Sequence, residues 1–217
     1  MLTLDRRTLL AGAAGAGLLG AMPAGRSIAQ TMPPAPMRFV IRVDGSESGE
    51  HTLRFVRTPA GFDAFGTTSI RVRIAFINAY RFSQNTEERW ENGTWTQYRS
   101  TGAENGNGYE VQARNTPQGA LLQGRPVRAR DLMPASFWTP RVLDSGSVID
   151  PVKGTVVSQS VQPRGRDSLT LGGQRVAATA YAVDNFLGGT IWYSPEGRWL
   201  AATFDRRGHA VEYIRTA

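Results

Sequence analysis

Residues 70–76 read Ile-Arg-Val-Arg-Ile-Ala-Phe, the clearest periodic pattern in the chain. Large apolar side chains occupy every second position, and two arginines and an alanine lie between them. Successive side chains of a β-strand point to opposite faces of a sheet, so the alternation places the apolar residues on a covered face and the arginines in solvent. The stretch therefore predicts a strand of an antiparallel sheet that has one wet face.

The same two-residue period continues on both sides of this stretch. It predicts further strands at residues 39–43, 51–56, 80–90, 95–101, 109–113, 155–161, 176–183, 191–193, 198–204 and 209–215. Sequences that favour turns separate several of them, at residues 45–49, 59–61, 91–93, 105–108 and 194–197. The Asn-Gly pairs at 92–93 and 105–106 are typical of two-residue hairpins, because such turns require a positive φ that Asn and Gly tolerate.

Residues 131–151 break this rhythm. They contain Pro134, Pro140 and Pro151, and they carry a Phe-Trp pair at 137–138. We interpret them as a long irregular connection with one short helical turn. The predicted fold class is therefore all-β: an antiparallel meander that forms a strongly curved or half-open barrel, with one long irregular connection.

Composition narrows the class of protein. The 217 residues suffice for one domain with a real core, and 41% hydrophobic content with five Trp favours a packed domain over disorder. There is no Cys, so the core must hold without disulfides, and a thiol nucleophile or Cys-ligated metal is excluded. The net charge of +7 indicates either a solvated basic surface or contact with anionic partners such as acidic lipid head groups or polysaccharide. Because the arginines are scattered rather than clustered, we expect no nucleic-acid binding.

The N-terminus resembles a twin-arginine export signal. Arg6 and Arg7 precede a leucine pair, and the apolar run at 9–22 is shorter than the roughly 20 residues that span a bilayer. Ser27 and Ala29 place small residues at the positions that a signal peptidase recognises, so we expect cleavage after Ala29. An uncleaved, membrane-bound N-terminus is the alternative.

These features predict three segments: a twin-arginine signal peptide at 1–29, a Pro-rich linker at 30–36 and a single β domain at 37–217. The expected partner during export is the twin-arginine export machinery. The expected location is the periplasm, where the cleaved protein is soluble. The sequence does not indicate an oligomeric state.

Several short groups of residues carry a family resemblance through their order and spacing. They are Gly45 to His51, Ala79 to Phe82, Glu88-Arg89-Trp90 with Gly93, Thr101 with Asn105-Gly106, Pro134 to Trp138, and Trp192-Tyr193 with Gly197. Over residues 39–215 this pattern resembles a family of exported bacterial proteins known only as domain of unknown function 6134. The resemblance implies an antiparallel sheet that curls into an open barrel, and it implies no activity.

No catalytic or metal-binding pattern stands out. Ser48, His51 and Asp44 have the residue types of a catalytic triad, but their spacing does not demand one. Glu47 occupies the position where a nucleophile elbow needs Ser. The two His are too few for a three-His zinc site. We therefore expect no catalytic residue, metal or cofactor, and an enzyme ranks third among the possible functions.

The aromatic residues are the most informative side chains for a possible ligand site. They lie in or beside the predicted strands: Tyr80, Phe82, Trp90, Trp95, Trp138, Trp192 and Trp199. They form either a hydrophobic core or an apolar cavity under the curled sheet, closed by residues 137–138.

The candidate ligand-binding residues are Tyr80, Glu88, Trp90 and Trp138, with Glu88 or Tyr80 as the polar anchor. The leading hypothesis is a protein that binds an apolar or amphiphilic envelope molecule, such as a lipid, in a concave β-sheet. The alternative is a structural or interaction protein of the cell envelope without a small-molecule ligand.

Export should depend on the identity of the paired arginines as well as on their charge. Replacing Arg6→Lys and Arg7→Lys together keeps the charge and should leave the precursor inside the cell. Cell fractionation measures this, with Arg26→Lys as a control that leaves the pair intact. Normal periplasmic accumulation of the double variant would contradict the twin-arginine assignment.

Overall fold

The structure is a computed structural model, and it describes residues 33–74, 77–129 and 131–216. The export signal with Arg6 and Arg7, the cleavage position Ala29 and the first part of the predicted linker lie outside the described residues. The segment boundaries at 29 and 36 therefore stay predictions.

Strands make up most of the described chain. They are β1 (Met37–Val43), β2 (Ser46–Thr58), β3 (Gly61–Ile74), β4 (Ile77–Glu91), β5 (Thr94–Glu104), β6 (Asn107–Thr116), β7 (Gly119–Leu122), β8 (Arg125–Pro126), β9 (Leu132–Pro134), β10 (Ser147–Ile149), β11 (Val156–Ser158), β12 (Ser160–Leu171), β13 (Gln174–Asp184), β14 (Gly189–Tyr193), β15 (Trp199–Arg206) and β16 (His209–Arg215). Within the parts described, no helix combines the length and apolar character needed to cross a bilayer. The all-β prediction is confirmed.

Thirteen of the strands described form one antiparallel sheet, in the order β12-β13-β14-β15-β16-β1-β2-β3-β4-β5-β6-β7-β8. The two ends of the domain meet inside this sheet, because β1 pairs with β16 and places Phe39 opposite Arg215 and Val43 opposite Val211. The edges are β8 and β12, which flank the long connection. The sheet is curved and does not close into a barrel, as expected for the half-open form.

Glycines inside strands allow neighbouring strands to approach one another closely. A Cβ on Gly49, Gly102 or Gly189 would overlap a carbonyl oxygen of the neighbouring strand. At Gly102 the ring of Tyr109, directly opposite on β6, also occupies the space where a side chain would lie. Glycine in a strand interior commonly marks such a close backbone approach.

Tight turns join most neighbouring strands. The predicted Asn-Gly turns are confirmed, with positive φ at Asn92 (49°), Gly93 (76°) and the 105–106 pair (51° and 88°). The turn predicted at 45–49 is shorter: it consists of Asp44 and Gly45, and β2 begins immediately afterwards. Asp-Gly meets the requirement for two positive φ angles, so the extra residues belong to the strand.

The long connection lies against the concave face of the sheet. It contains β9, a 3₁₀ helix (Pro140–Asp144), β10 and β11, and the three strands form a small second sheet. The predicted single helical turn is confirmed, and β11 lies within the strand predicted at 155–161, whereas β9 and β10 were not predicted. We call residues 132–158 the inner segment.

Buried side chains of the inner segment join the main hydrophobic core, namely Leu132, Met133, Phe137, Trp138, Val142, Val148 and Ile149. Hydrogen bonds tie the segment to two distant parts of the sheet. Trp95 Nε1 on β5 donates to the Leu132 carbonyl at 2.7 Å, and the Tyr193 hydroxyl on β14 donates to the Phe137 carbonyl at 2.9 Å. The inner segment therefore supplies the interior that a closed barrel would fill with its own strands.

Two glycines of the β5–β6 hairpin test whether the close approach at Gly102 requires glycine. Gly102→Ala should lower the free energy of unfolding by about 1–3 kcal/mol, because the new methyl group overlaps backbone and Tyr109. Gly108→Ala is the matched control, since its nearest atom, the Gly102 carbonyl oxygen, lies 3.8 Å from the added Cβ. Urea denaturation measures both, and equal losses would contradict the account.

Candidate functional site

Glu88 is the buried polar centre of the inner face. It lies on β4 between Ala64 of β3 and Tyr98 of β5, and only 3% of its surface is exposed. Its carboxylate accepts hydrogen bonds from Trp90 Nε1 at 2.8 Å, from Trp138 Nε1 at 3.3 Å and from the Ser136 hydroxyl. We call Glu88, Trp90, Ser136 and Trp138 the Glu88 cluster.

The electrostatics of this cluster favour a neutral carboxyl group. Burial raises the pKa of Glu88 above its ordinary value, because a charged carboxylate loses its hydration there. The three donors lower the pKa again, but burial is the largest cause. Among the described side chains, no ion pair includes Glu88. The cluster is therefore held by hydrogen bonds rather than by a salt bridge.

Packed aromatic rings surround Trp138. Its ring meets those of Trp90, Phe55 and Phe62 at centroid distances of 5.1, 5.2 and 5.6 Å, with interplanar angles of 70–76°. Such edge-to-face contacts are favourable packing geometry. The rings touch one another directly, so the space between them is filled by side chains.

The structure thus brings together three of the four candidate residues: Glu88, Trp90 and Trp138. The sequence analysis did not identify Ser136 as their fourth member, although it lies in the 134–138 group that carries the family resemblance. Tyr80 is not part of this cluster. It precedes Glu88 by eight residues on β4, which corresponds to about 26 Å along a strand.

Tyr80 lies at the other end of the concave face. Its hydroxyl donates to Glu104 Oε1 at 3.3 Å. Burial raises the pKa of Tyr80 to about 12, and the Glu104 carboxylate adds to that effect. Its ring packs against a second buried cluster, formed by Ile41, Val43 and Ile70.

Two hairpins face each other at this end of the sheet. Arg207, between β15 and β16, lies 3.4 Å from Glu104 at the end of β5. A cavity of about 300 Å³ lies beside this pair and is also lined by Asn105, Tyr109 and Val152 of the inner segment. We call this opening, between the β5–β6 and β15–β16 turns, the mouth.

A larger trough of about 700 Å³ lies on the outer face of β3–β7. Three of its charged side chains, Asp63, Arg89 and Arg99, take part in ion pairs. Arg89 donates to both carboxylate oxygens of Asp63, at 2.9 and 3.1 Å, and Arg99 donates to Glu110 at 3.0 Å. Alternating paired charges of this kind are typical of a solvated sheet face, so the mouth is the better candidate for a ligand.

Ser48, His51 and Asp44, which have the residue types of a catalytic triad, do not come together in the structure. His51 Nδ1 is 2.8 Å from Thr68 Oγ1, and burial lowers the pKa of His51 to about 4, which leaves the ring neutral at pH 7. Asp44 Oδ2 lies 2.7 Å from His209 Nδ1, and the Ser48 hydroxyl donates to the Ser46 carbonyl. In the part of the chain that the structure covers, no three His, Asp or Glu side chains group as metal ligands.

Fold and site together define an open, strongly curved β-sheet protein whose concave face is filled by its own chain and has one mouth. The chain belongs to the family described as Domain of unknown function (DUF6134), whose model matches residues 39–216. No curated protein matches the sequence.

A solved structure with a similar fold is the β-barrel-like protein of domain of unknown function DUF1849 from Brucella abortus. The TM-score is 0.57 at 10% sequence identity, over 83% of this chain and 94% of that one. At this identity the likeness concerns the fold alone.

Three of the groups of residues that carried the family resemblance meet at the inner segment: the group at 88–93, the group at 134–138, and the group of Trp192, Tyr193 and Gly197. Ser136 and Trp138 donate to Glu88, and the Trp138 ring packs against that of Trp90. Arg141, just beyond, donates to the Gly93 carbonyl and lies 5.6 Å from the Trp90 ring centre. These three groups therefore reflect how the inner segment docks on the sheet.

The raised pKa of Glu88 predicts how the stability of the fold depends on pH. The folded-state pKa of Glu88 is raised above the ordinary value of 4.5, so its contribution to stability is fully present below pH 4.5 and declines as the pH rises through the folded value. Glu88→Gln cannot ionise and should lack this decline. In urea unfolding, wild-type stability relative to Glu88→Gln should therefore fall as the pH rises above 4.5.

Glu87→Gln is the control for this comparison, because Glu87 lies next to Glu88 in sequence but is exposed on the opposite face. It removes one acidic group without touching the cluster. A wild-type advantage over Glu88→Gln that grows with pH would contradict a raised pKa at Glu88.

Proposed function

We propose that the protein is an exported binding protein that takes up an apolar or amphiphilic molecule, such as a lipid, at the mouth of its concave sheet. The observation that carries this proposal is the meeting of two surfaces at the mouth. Tyr80 joins the two: its ring packs on an incompletely covered apolar cluster, the apolar wall, and its hydroxyl donates to Glu104 of the charged rim beside the cavity.

The apolar wall supports binding of a hydrocarbon group. Half-buried side chains pack there around the buried Ile41, Val43 and Ile70, namely Val72, Phe82, Val211 and Tyr213. A ligand that covered their remaining surface would gain about 25 cal/mol for each Å² of apolar area removed from water. Tyr80 would contribute its ring to the same wall.

The rim supports binding of a polar head group. Arg207 and Glu104 offer one charge of each sign, and the Tyr80 hydroxyl is already directed at Glu104. The Arg207 guanidinium is the exposed partner, with 68% of its side chain accessible, against 19% for Glu104. An anionic head group would therefore meet Arg207 first, which favours a fatty acid or an acidic lipid as ligand.

The remaining candidate residues take a supporting role in this proposal. Glu88, Trp90 and Trp138 anchor the inner segment, and the same segment presents Val152 to the mouth. They would act on the ligand through the position of that segment, whereas Tyr80 would touch the ligand itself.

The proposed setting is the periplasm, with the protein soluble after cleavage at Ala29. The support is the sequence of the N-terminus, where Arg6 and Arg7 precede a short apolar run. Export would bring the folded protein to its ligand in the envelope, with the twin-arginine machinery as its transient partner.

A protein-interaction role without a small ligand is the second candidate. The packing of the Glu88 cluster favours it, since Trp138 fills the space that a deep lipid cavity would need. In that case the mouth would contact another envelope protein. Amphiphile binding separates the two candidates.

Titration of the purified protein with dodecanoate, followed by calorimetry, should show saturable binding. Val211→Asp places a charge in the apolar wall and should weaken binding at least tenfold. Val56→Asp is the matched control, because Val56 lies on β2 and is 45% exposed.

Arg207→Gly tests the head-group site without damaging the turn, since Arg207 has a φ of 56° that glycine adopts freely. It should weaken dodecanoate about tenfold or more and leave neutral monododecanoylglycerol unchanged. If neither amphiphile binds the wild-type protein saturably, the proposal fails and the interaction role replaces it.

A further inference from the structure

Three arginines that form no ion pair with any described side chain lie together on the outer face of the sheet, next to the mouth. Arg71 of β3 stands directly opposite Arg81 of β4, and Arg73 follows two residues later on the same face. All three are exposed, and they alternate with the inward-facing Val72 and Phe82. We call Arg71, Arg73 and Arg81 the arginine patch.

The arrangement of the patch costs the fold stability. Like charges directly opposite one another on neighbouring strands repel, whereas opposite charges would attract. The ion pairs among the described side chains use other arginines, such as Arg38 with Glu50 and Arg99 with Glu110. The Arg71–Arg81 pair therefore lacks the neutralising partner that Arg38, Arg89 and Arg99 have across neighbouring strands.

The patch is structurally joined to the mouth. Arg81 exchanges two hydrogen bonds with Asn105 of the β5–β6 turn: its amide donates to Asn105 Oδ1 at 2.9 Å, and its carbonyl accepts from the Asn105 amide at 2.8 Å. Asn105 lines the mouth, and Arg207 lies on the facing hairpin. Exposed guanidinium groups thus occur on both sides of the opening.

We infer that this end of the protein docks on an anionic lipid surface through the arginine patch, with the mouth facing the membrane. The inference goes beyond the proposed function and rests on it for the choice of a membrane over a soluble polyanion, because an amphiphilic ligand resides in a bilayer. Arginines carried by separate hairpins around one opening suit a flat, negatively charged surface. Each arginine near such a surface contributes about a fivefold increase in affinity.

Vesicle co-sedimentation tests this inference with the whole protein. Wild type should bind vesicles of phosphatidylglycerol and phosphatidylcholine in equal parts, and bind vesicles of phosphatidylcholine alone at least tenfold more weakly. The triple variant Arg71→Gln, Arg73→Gln and Arg81→Gln should lose about 100-fold in affinity for the anionic vesicles. Raising the salt concentration should weaken wild-type binding.

A control with the same change in charge separates location from net charge. Arg57→Gln, Arg114→Gln and Arg175→Gln replace exposed arginines near the opposite ends of β2, β6 and β13. This variant should bind anionic vesicles within about threefold of wild type. An equal loss in both triple variants would show that only net charge matters and would overturn the inference.

A second readout guards against a folding artefact. Arg81→Gln removes the like-charge contact, so it should raise the urea midpoint while it weakens vesicle binding. A lowered midpoint would contradict the assigned repulsion. Binding of soluble heparin as tightly as anionic vesicles, with the same dependence on the patch, would replace the membrane by a soluble polyanion.

The docking inference and the proposed function can fail separately. Titration with monomeric dodecanoate does not require a membrane surface, and the triple patch variant should bind it as wild type does. Dodecanoate binding without vesicle binding would overturn docking alone. Absence of dodecanoate binding would instead remove the proposed function.

Discussion

The contact between Trp138 and the inner face of β3 and β4 holds the architecture together. A curved sheet that does not close leaves an apolar concave face, which must be covered by side chains from elsewhere in the chain. Here the inner segment covers it, and Trp138, 7% exposed, lies against Phe62 and Trp90. The sheet can remain open because its connection between β8 and β12 fills the interior.

Burying tryptophans in this way creates a second requirement, because each indole N–H needs an acceptor. Glu88 meets it for Trp90 and Trp138, and the Leu132 carbonyl meets it for Trp95. Among the described residues, no buried side-chain nitrogen or oxygen lacks a hydrogen-bond partner. A carboxyl group in the interior is thus explained by the donors around it, and its burial accounts for the raised pKa.

Much of the sheet could be predicted from local sequence, because strand alternation and Asn-Gly turns are local properties. The pairing of β1 with β16 could not, since Phe39 and Arg215 are brought together only by the completed fold. Very short strands such as β7 and β8 carry too few residues to show a period.

The candidate site was predictable only in part, for the same reason. Tyr80 and Trp90 lie ten residues apart on one strand, so they must be far apart in space. The sequence analysis grouped them as one site without using that distance. That Ser136 and Trp138 reach Glu88 depends on the path of an irregular connection, which has no period to interpret. Glu104 and Arg207 meet across the concave face, and no feature of either local sequence indicates it.

The division between an anchored inner segment and an open mouth is the basis of the functional account. The Glu88 cluster fixes the segment at one end of the concave face, and the segment's Val152 reaches the mouth at the other. The most direct test of this account is a double-mutant cycle on the free energy of unfolding, with Glu88→Leu and Trp138→Phe. Phe keeps the aromatic packing but cannot donate to Glu88. We predict a coupling of about 1 kcal/mol or more, within the range for residues in direct contact, with Trp138→Phe costing clearly less once Glu88 is gone. Additive effects of the two substitutions would show that Glu88 does not anchor the inner segment, and would contradict the account.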